Sequence, residues 1–298
     1  MSYHNPVLLK QSIDGLNIKP DGIYVDVTFG GGGHSREILS RLNEKGKLFS
    51  FDTDPDAIDN IIDDTRFTLI TENFRFIKRF LRLHELSKVD GILADLGVSS
   101  HQFDAPSRGF STRFEGQLDM RMNINSVLSA FEVVNNYQET ELASLLSQYG
   151  ELHNARAIAK KIISERSVKV IQTTSDLKKA LGSFLPAGKE NKIMAQIFQA
   201  IRIEVNQELE VLKEFLVQVP DILNINGRLS IISYHSLEDR LVKRFIKNGQ
   251  FEGEPEKDLY GNFDVPMRKV GNLIVPGEKE IKENNRARSA KLRIGEKV

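Results

Sequence analysis

The chain has 298 residues, no cysteine and a formal net charge of zero, with 40% hydrophobic and 28% charged residues. That excludes disulfides and thiolate chemistry and offers no bulk charge to draw in nucleic acid. It fits an ordinary globular protein of one large domain or two smaller ones. No apolar run approaches the roughly 18 residues that argue a membrane span. The start "MSYHNPVLLKQS" lacks the basic and apolar regions of a secretory signal, so a cytoplasmic enzyme with no membrane partner is expected.

The first hundred residues alternate strand and helix signals. "GIYVDVTF" reads as a strand, followed by four glycines, Gly30 to Gly33, and a helix "SREILSRLNEKG" with Ser35 as N-cap and Gly46 as stop. "KLFSFD" is a second strand, and "DPDAIDNIIDD" a helix entered through Asp54-Pro55. "FTLITENF", "RFIKRFLRLHEL" and "VDGILADLG" continue as strand, helix and strand. Alternation at this spacing predicts an α/β fold with a Rossmann-like, doubly wound parallel sheet.

The alternation stops after residue 102. A loop, "FDAPSRGFSTRFEGQLDMRM", leads into "ETELASLLSQYG", "NARAIAKKIISER" and "TSDLKKALGSFL", each with apolar residues at three- and four-residue intervals. Residues 103–206 are therefore expected to form an inserted all-helical subdomain, with 1–102 and 207–298 making the α/β domain. "IEVNQELEVLKEFLVQVPDIL" reads as one long helix, "GRLSIISYHS" as the fifth strand and "NNRARSAKLRIGE" as a final edge strand.

Ligands of a doubly wound sheet sit beyond the carboxyl ends of its strands. The glycine turn is so placed, but its G-x-G meets Ser35 where a dinucleotide fingerprint wants a third glycine. Asp52, ending the second strand, can accept from ribose hydroxyls of NAD or S-adenosylmethionine, or cap the next helix. Phe74 stands past the third strand, where an aromatic face can pack on adenine. Asp95 ends the fourth, a place where amine methylation needs a hydrogen-bond acceptor and hydride transfer needs none.

In chain order, "HNPVLL", "TFGGGGHS", "FDTDPDAI", "DGILADLGVSSHQFD", "RGFS", "LDMRM", "FQAIRIEVNQELE", "GRLSIISYHSLEDRLVK" and "NNRARSAKLR" resemble the bacterial ribosomal RNA small-subunit methyltransferase H (MraW) family over nearly the whole chain. The sequence departs from the family pattern at Gln117 and Asn285, where proline is usual, and at Tyr234, where phenylalanine is usual. The resemblance implies methyl transfer to the exocyclic 4-amino group of a cytidine in the decoding region of 16S ribosomal RNA, with the small ribosomal subunit as partner. It also implies an S-adenosylmethionine site at Gly32, Gly33, His34, Asp52, Phe74, Asp95 and Gln102.

Asp95 is the candidate catalytic acceptor, with cofactor binding as its competing role. For the substrate, His235, Arg286 and Arg288 are candidates, the arginines for phosphates and His235 at the ligand edge of the fifth strand. Phe103, Phe110, Phe114 and Tyr234 are possible stacking partners for a flipped base, against core packing. Arg156, Lys160 and Lys161, with Lys291 and Arg293, are further phosphate candidates against a solvated-charge reading. Ser236 and Asp239 match an S-x-x-D capping box. No metal is expected, since the six histidines are scattered and "LHEL" lacks a second histidine. A nucleotide-dependent dehydrogenase and a non-catalytic RNA-binding assembly factor are the alternatives. The sequence leaves the oligomeric state open.

Overall fold

The computed structural model describes residues 6–182, 184–255 and 264–298, so His4 and Asn5 of the "HNPVLL" segment lie outside it. Two compact units divide the chain: one joins residues 1–97 to 209–298, and the other is the stretch between, 98–208.

The first unit is built on a seven-stranded sheet: β1 (Ile23–Asp26), β2 (Lys47–Phe51), β3 (Phe67–Ile70), β4 (Val89–Asp95), β5 (Leu223–Ser233), β6 (Met267–Ile274) and β7 (Lys291–Lys297). Their order is β3-β2-β1-β4-β5-β7-β6. Strands β1 to β5 run parallel, while β7 lies antiparallel between β5 and β6. The direction of winding reverses between β1 and β4, and the crevice beyond their carboxyl ends is where such sheets take ligands.

Three helices accompany the first strands: α1 (Leu9–Leu16), α2 (Gly33–Arg41) and α3 (Ile77–Leu83). The second unit contributes α4 (Ser100–Asp104), α5 (Ala130–Asn136), α6 (Glu139–Gln148), α7 (Ala155–Val168), α8 (Thr174–Gly182) and α9 (Glu190–Asn206). The chain returns through α10 (Glu208–Ile222), α11 (Ser236–Asn248) and α12 (Glu278–Glu283).

Strand periodicity sorts the core of the sheet. Tyr24, Leu48 and Leu93 face a cluster containing Ile13 and Leu16 of α1 and Ile38 of α2. Their neighbours Val25, Phe49, Ile92 and Ala94 face the opposite cluster, with Phe215 of α10 and Phe245 of α11. Both faces are covered, which is why these strands read as nearly continuous apolar runs. The second unit has its own core, built from Val133, Leu146, Ile158, Leu177, Ile197 and their neighbours.

Four local readings change. Helix α2 begins at Gly33, two residues before the expected cap, so Ser35 lies inside it and is fully buried. "DPDAIDNIIDD" contains only a short 3-10 turn, Pro55–Asn60, capped by Asp54. The long helix is broken at Gln207, whose φ is +51°. Arg202 forks onto Glu208 at 2.8 Å through both nitrogens, and the Asn206 amide donates to the Met120 carbonyl at 2.8 Å, which fixes the break. Finally, β7 is an interior strand; the edge is β6, whose mostly exposed "MRKVGNLI" has too little apolar alternation to stand out.

Glu296 ties the three C-terminal strands together. It sits on β7 opposite both Arg228 and Arg268, accepting from Arg228 at 3.0 Å and from Arg268 at 2.5 Å. Glu296→Ala is expected to destabilise the fold by about 1.5–3 kcal/mol, the range for hydrogen bonds to a charged group. Urea unfolding checks this; an unchanged midpoint would mean that the arginines are satisfied by solvent.

Candidate active site

The edge beyond β1 is organised by a carboxylate that water does not reach. Asp26 is fully buried at the end of β1. Its Oδ1 accepts from the Thr28 backbone at 3.0 Å and hydroxyl at 3.3 Å, and its Oδ2 accepts from Ser35 at 2.7 Å. Ser35 in turn lies 2.9 Å from the Ser50 hydroxyl of β2. Burial pushes the Asp26 pKa up, against the opposing influence of His34 and of these hydrogen bonds.

The glycine turn follows. Gly30 and Gly32 take φ of +50° and +74°, the left-handed region where side chains are strained. At Gly33 the reason is packing: a Cβ would stand 2.2 Å from Pro6 Cγ. The turn therefore needs glycine for reasons inside the chain, whatever else approaches it. Asp52, at the end of β2, closes the turn by accepting from Gly30 N at 2.7 Å and from Asp54 N at 2.9 Å. It is Asp54, not Asp52, that caps the next turn. Asp52 remains partly exposed, and its pKa is pushed up to about 6 by burial, with Asp54 and Asp26 adding to the rise and the two backbone bonds opposing it.

Asp95 ends β4 on the same edge, and three neighbours fix it. The Tyr234 hydroxyl donates to Oδ1 at 2.7 Å, His34 Nδ1 lies 3.7 Å from Oδ2, and the Asp95 backbone N donates to Thr28 Oγ at 2.7 Å. His34 is buried, with Nε2 3.2 Å from the Val7 carbonyl. A carbonyl only accepts, so Nε2 carries a proton and Nδ1 is the nitrogen turned to Asp95. Burial raises the Asp95 pKa to about 6; His34 and the Tyr234 hydroxyl oppose the rise, while Asp26 and Glu238 add to it. The side chain is 22% exposed, so it can still meet a ligand.

The structure thus gathers Gly32, Gly33, His34, Asp52 and Asp95 around one turn. Phe74 stands beyond β3, partly exposed, with its ring edge-on to Phe215 at 5.3 Å. Gln102 belongs to the second unit, where its side chain and Ser99 form the capping box of α4. His235 follows β5, but its ring has a structural role as the cap of α11, in a capping box with Glu238. The expected Ser236–Asp239 box is therefore wrong by one residue. Asp239 instead holds Arg293 at 2.6 Å and Lys291 at 3.4 Å, which takes both of those cations into an ion-pair cluster. Arg286 and the exposed Arg288 lie on a 3-10 turn, Asn285–Ser289.

In the second unit Phe110 is 6% exposed and Phe103 packs on the helical core, whereas Phe114 is 45% exposed. Lys161 is paired with Glu165 at 2.5 Å. Sequence reasoning passed over Asp26, Thr28 and Ser35 as a unit and the Tyr234–Asp95 bond. The one available signal was Asp26 itself, a charge inside an otherwise apolar strand.

A partly exposed carboxyl after β2, a second at the end of β4 and a glycine turn between them lie at the edge where doubly wound sheets take ligands. A profile of the MraW methylase family matches residues 1–298. The chain belongs to that family. Ribosomal RNA small subunit methyltransferase H of Flavobacterium johnsoniae is 65% identical over 298 residues, covering 100% of this chain and 99% of its own. The proteins of the same name from Flavobacterium psychrophilum and Bacteroides thetaiotaomicron are 66% and 54% identical, over 97% and 100% of this chain and 100% and 98% of theirs. The chain is an enzyme and its chemistry is methyl transfer, which sets the dehydrogenase reading aside. Among the described residues of the methylase, no helix is long and apolar enough to cross a membrane.

The raised carboxyls give the methylase a signed pH signature. In the folded state Asp52 and Asp95 keep their protons up to about 6, while unfolded aspartate releases them near 3.8. Between those values the folded state binds more protons, so these two groups make stability fall as pH rises. Without cofactor, the wild-type protein should lose urea resistance as pH rises from 3.8 to about 6, relative to the Asp52→Asn/Asp95→Asn double variant. Parallel pH profiles for the two proteins would show that neither carboxyl is raised.

Proposed function

We propose that the methylase transfers a methyl group from S-adenosylmethionine to the exocyclic 4-amino group of a cytidine in the decoding region of 16S ribosomal RNA, acting on the small ribosomal subunit in the cytoplasm. The observation that carries the reading is the fixed Asp95 carboxylate at the carboxyl end of β4, in a chain whose relatives are small-subunit ribosomal RNA methyltransferases.

The residues present fit the cofactor. Each Asp52 oxygen accepts one backbone N–H and has a further lone pair for a ribose hydroxyl. Phe74 keeps part of its ring exposed for adenine, and the turn at Gly32, Gly33 and His34 suits the methionine portion. The bound cofactor supplies an electrophilic methyl group on a sulfonium sulfur.

Everything else falls to the chain. A cytosine amine is a weak nucleophile because its lone pair is delocalised into the ring. An acceptor on its N–H groups favours pyramidalisation and stabilises the positive charge that develops on nitrogen. Asp95 fills that role when ionised, and the Tyr234 bond helps keep it so. Holding the amine in line with the methyl group supplies much of the remaining acceleration. Arg286 and Arg288 suit backbone phosphates of the substrate. His235, as a helix cap with a side chain 6% exposed, suits a supporting position more than a stacking one.

Labelled-methyl transfer to small ribosomal subunits, followed by nucleoside analysis, tests the proposal. N4-methylcytidine is expected; subunit binding without transfer would favour an assembly factor. Asp52→Asn should weaken cofactor binding by about 1.5–3 kcal/mol, the range for a charge-assisted bond, as read by calorimetry. Unchanged affinity removes Asp52 from the site.

Asp95→Asn should slow single-turnover transfer by about two orders of magnitude, by analogy with losing an oxyanion-hole donor, with little change in cofactor affinity. Lost affinity at a normal chemical rate would make Asp95 a binding residue. Tyr234→Phe removes the bond that lowers the Asp95 pKa, so the acid limb of the rate profile should move to higher pH. An unmoved limb would mean that Asp95 does not control it.

A further inference from the structure

Of Phe103 on α4 and Phe110 and Phe114 in the loop that follows it, only Phe114 is turned outward. A lone exposed phenylalanine is common on protein surfaces and needs no explanation. What sets Phe114 apart is the backbone that carries it.

That backbone is pinned from both sides. The Thr174 hydroxyl, itself buried, donates to the Phe114 carbonyl at 2.8 Å and accepts from Gly116 N at 3.1 Å. Thr174 N returns a bond to the Gly116 carbonyl at 2.9 Å, and Leu118 N donates to the Gln172 carbonyl at 3.1 Å. Across the base of the loop, a Cβ on Gly116 would stand 1.7 Å from the Pro106 carbonyl oxygen, so two backbone runs meet in direct contact there. Phe110 and Ser111 point inward, 6% and 4% exposed, and the Ser111 hydroxyl accepts from Arg113 N at 3.1 Å. The loop has its own buried anchor, and burying Phe114 is not part of it.

Two cations belong to the same loop region. Arg113 precedes Phe114 and is exposed, and Lys178 of α8 reaches the loop, donating to the Thr112 carbonyl at 2.8 Å. Glu115, an acid, follows Phe114 directly. An aromatic face held on a fixed backbone beside Arg and Lys is the equipment with which proteins hold unpaired nucleotides: the ring stacks on a base while the cations meet the phosphates. Because the loop is already fixed, little ordering entropy opposes binding.

We propose that Phe114, with Arg113 and Lys178, is a stacking platform for an unpaired nucleotide of the RNA substrate. The proposal rests on the ribosomal-RNA reading above and adds a contact within the second unit. The nucleotide it holds is a positioning contact and takes no part in the chemistry.

The test measures affinity for purified small ribosomal subunits alongside methyl transfer to them. Stacking contributes about 1–3 kcal/mol per base, so Phe114→Ala should weaken binding and raise KM by roughly 5- to 150-fold. kcat and affinity for S-adenosylhomocysteine should stay unchanged, and Phe114→Trp should restore binding. Arg113→Ala should weaken binding and make it less dependent on salt. Equal affinity of the wild-type protein and Phe114→Ala for the subunits overturns the platform, even where both methylate normally. A wild-type protein that binds subunits and transfers no methyl group would instead overturn the functional reading, and the loss or retention of binding in Phe114→Ala would still decide the platform.

Discussion

The carboxyl edge of the sheet around β1 is organised by one carboxyl group that water does not reach. Asp26 is buried at the end of β1 and accepts three hydrogen bonds, from Thr28 and Ser35. Those bonds tie the end of β1 to the first turn of α2 through Ser35, which lies 2.9 Å from Ser50 on the neighbouring strand. Thr28 has a second role, receiving the Asp95 backbone N–H, so the same residue that satisfies Asp26 also fixes the end of β4. A buried polar group of this kind is costly unless its hydrogen bonds are satisfied. Here its satisfaction and the shape of the site are the same set of bonds.

Burial raises two further aspartates on the same edge, and Asp26 adds to the rise. Asp52 and Asp95 lie at the ends of strands on either side of β1, each near Asp26 and each losing hydration. An acid that is costly to ionise in the empty protein gains most when a ligand brings positive charge or hydrogen-bond donors to it. In the function proposed above, the ribose hydroxyls of S-adenosylmethionine are the donors to Asp52, and the positive charge that meets Asp95 develops on the substrate amine during transfer.

Much of this is legible in the sequence alone. Strand and helix alternation locates β1 to β5, because their apolar runs are separated by helical periodicity and by turn residues such as Gly22, Gly46 and Gly97. Asp52 and Asp95 are visible as acids closing such strands. What cannot be read are relations made by folding. Ser35 looks like a cap because it follows glycines, yet it is drawn inward by Asp26. Ser236 and Asp239 have capping-box spacing, but Arg293, more than fifty residues away, takes Asp239 and leaves the cap to His235. β6 is invisible because its pairing with β7, not an apolar face, makes it a strand. Phe103, Phe110 and Phe114 are alike in sequence, and only the folded loop separates the two inward rings from the outward one.

A carbon-13 NMR titration of the aspartate carboxyls, with and without S-adenosylhomocysteine, bears most directly on this dependence of the site on buried acids. Asp52 and Asp95, assigned by their loss in the Asn variants, should titrate near pH 6 in the free protein, and both resonances should shift when the nucleoside binds. Titration of both near 3.8, the ordinary aspartate value, with no response to saturating S-adenosylhomocysteine, would contradict it.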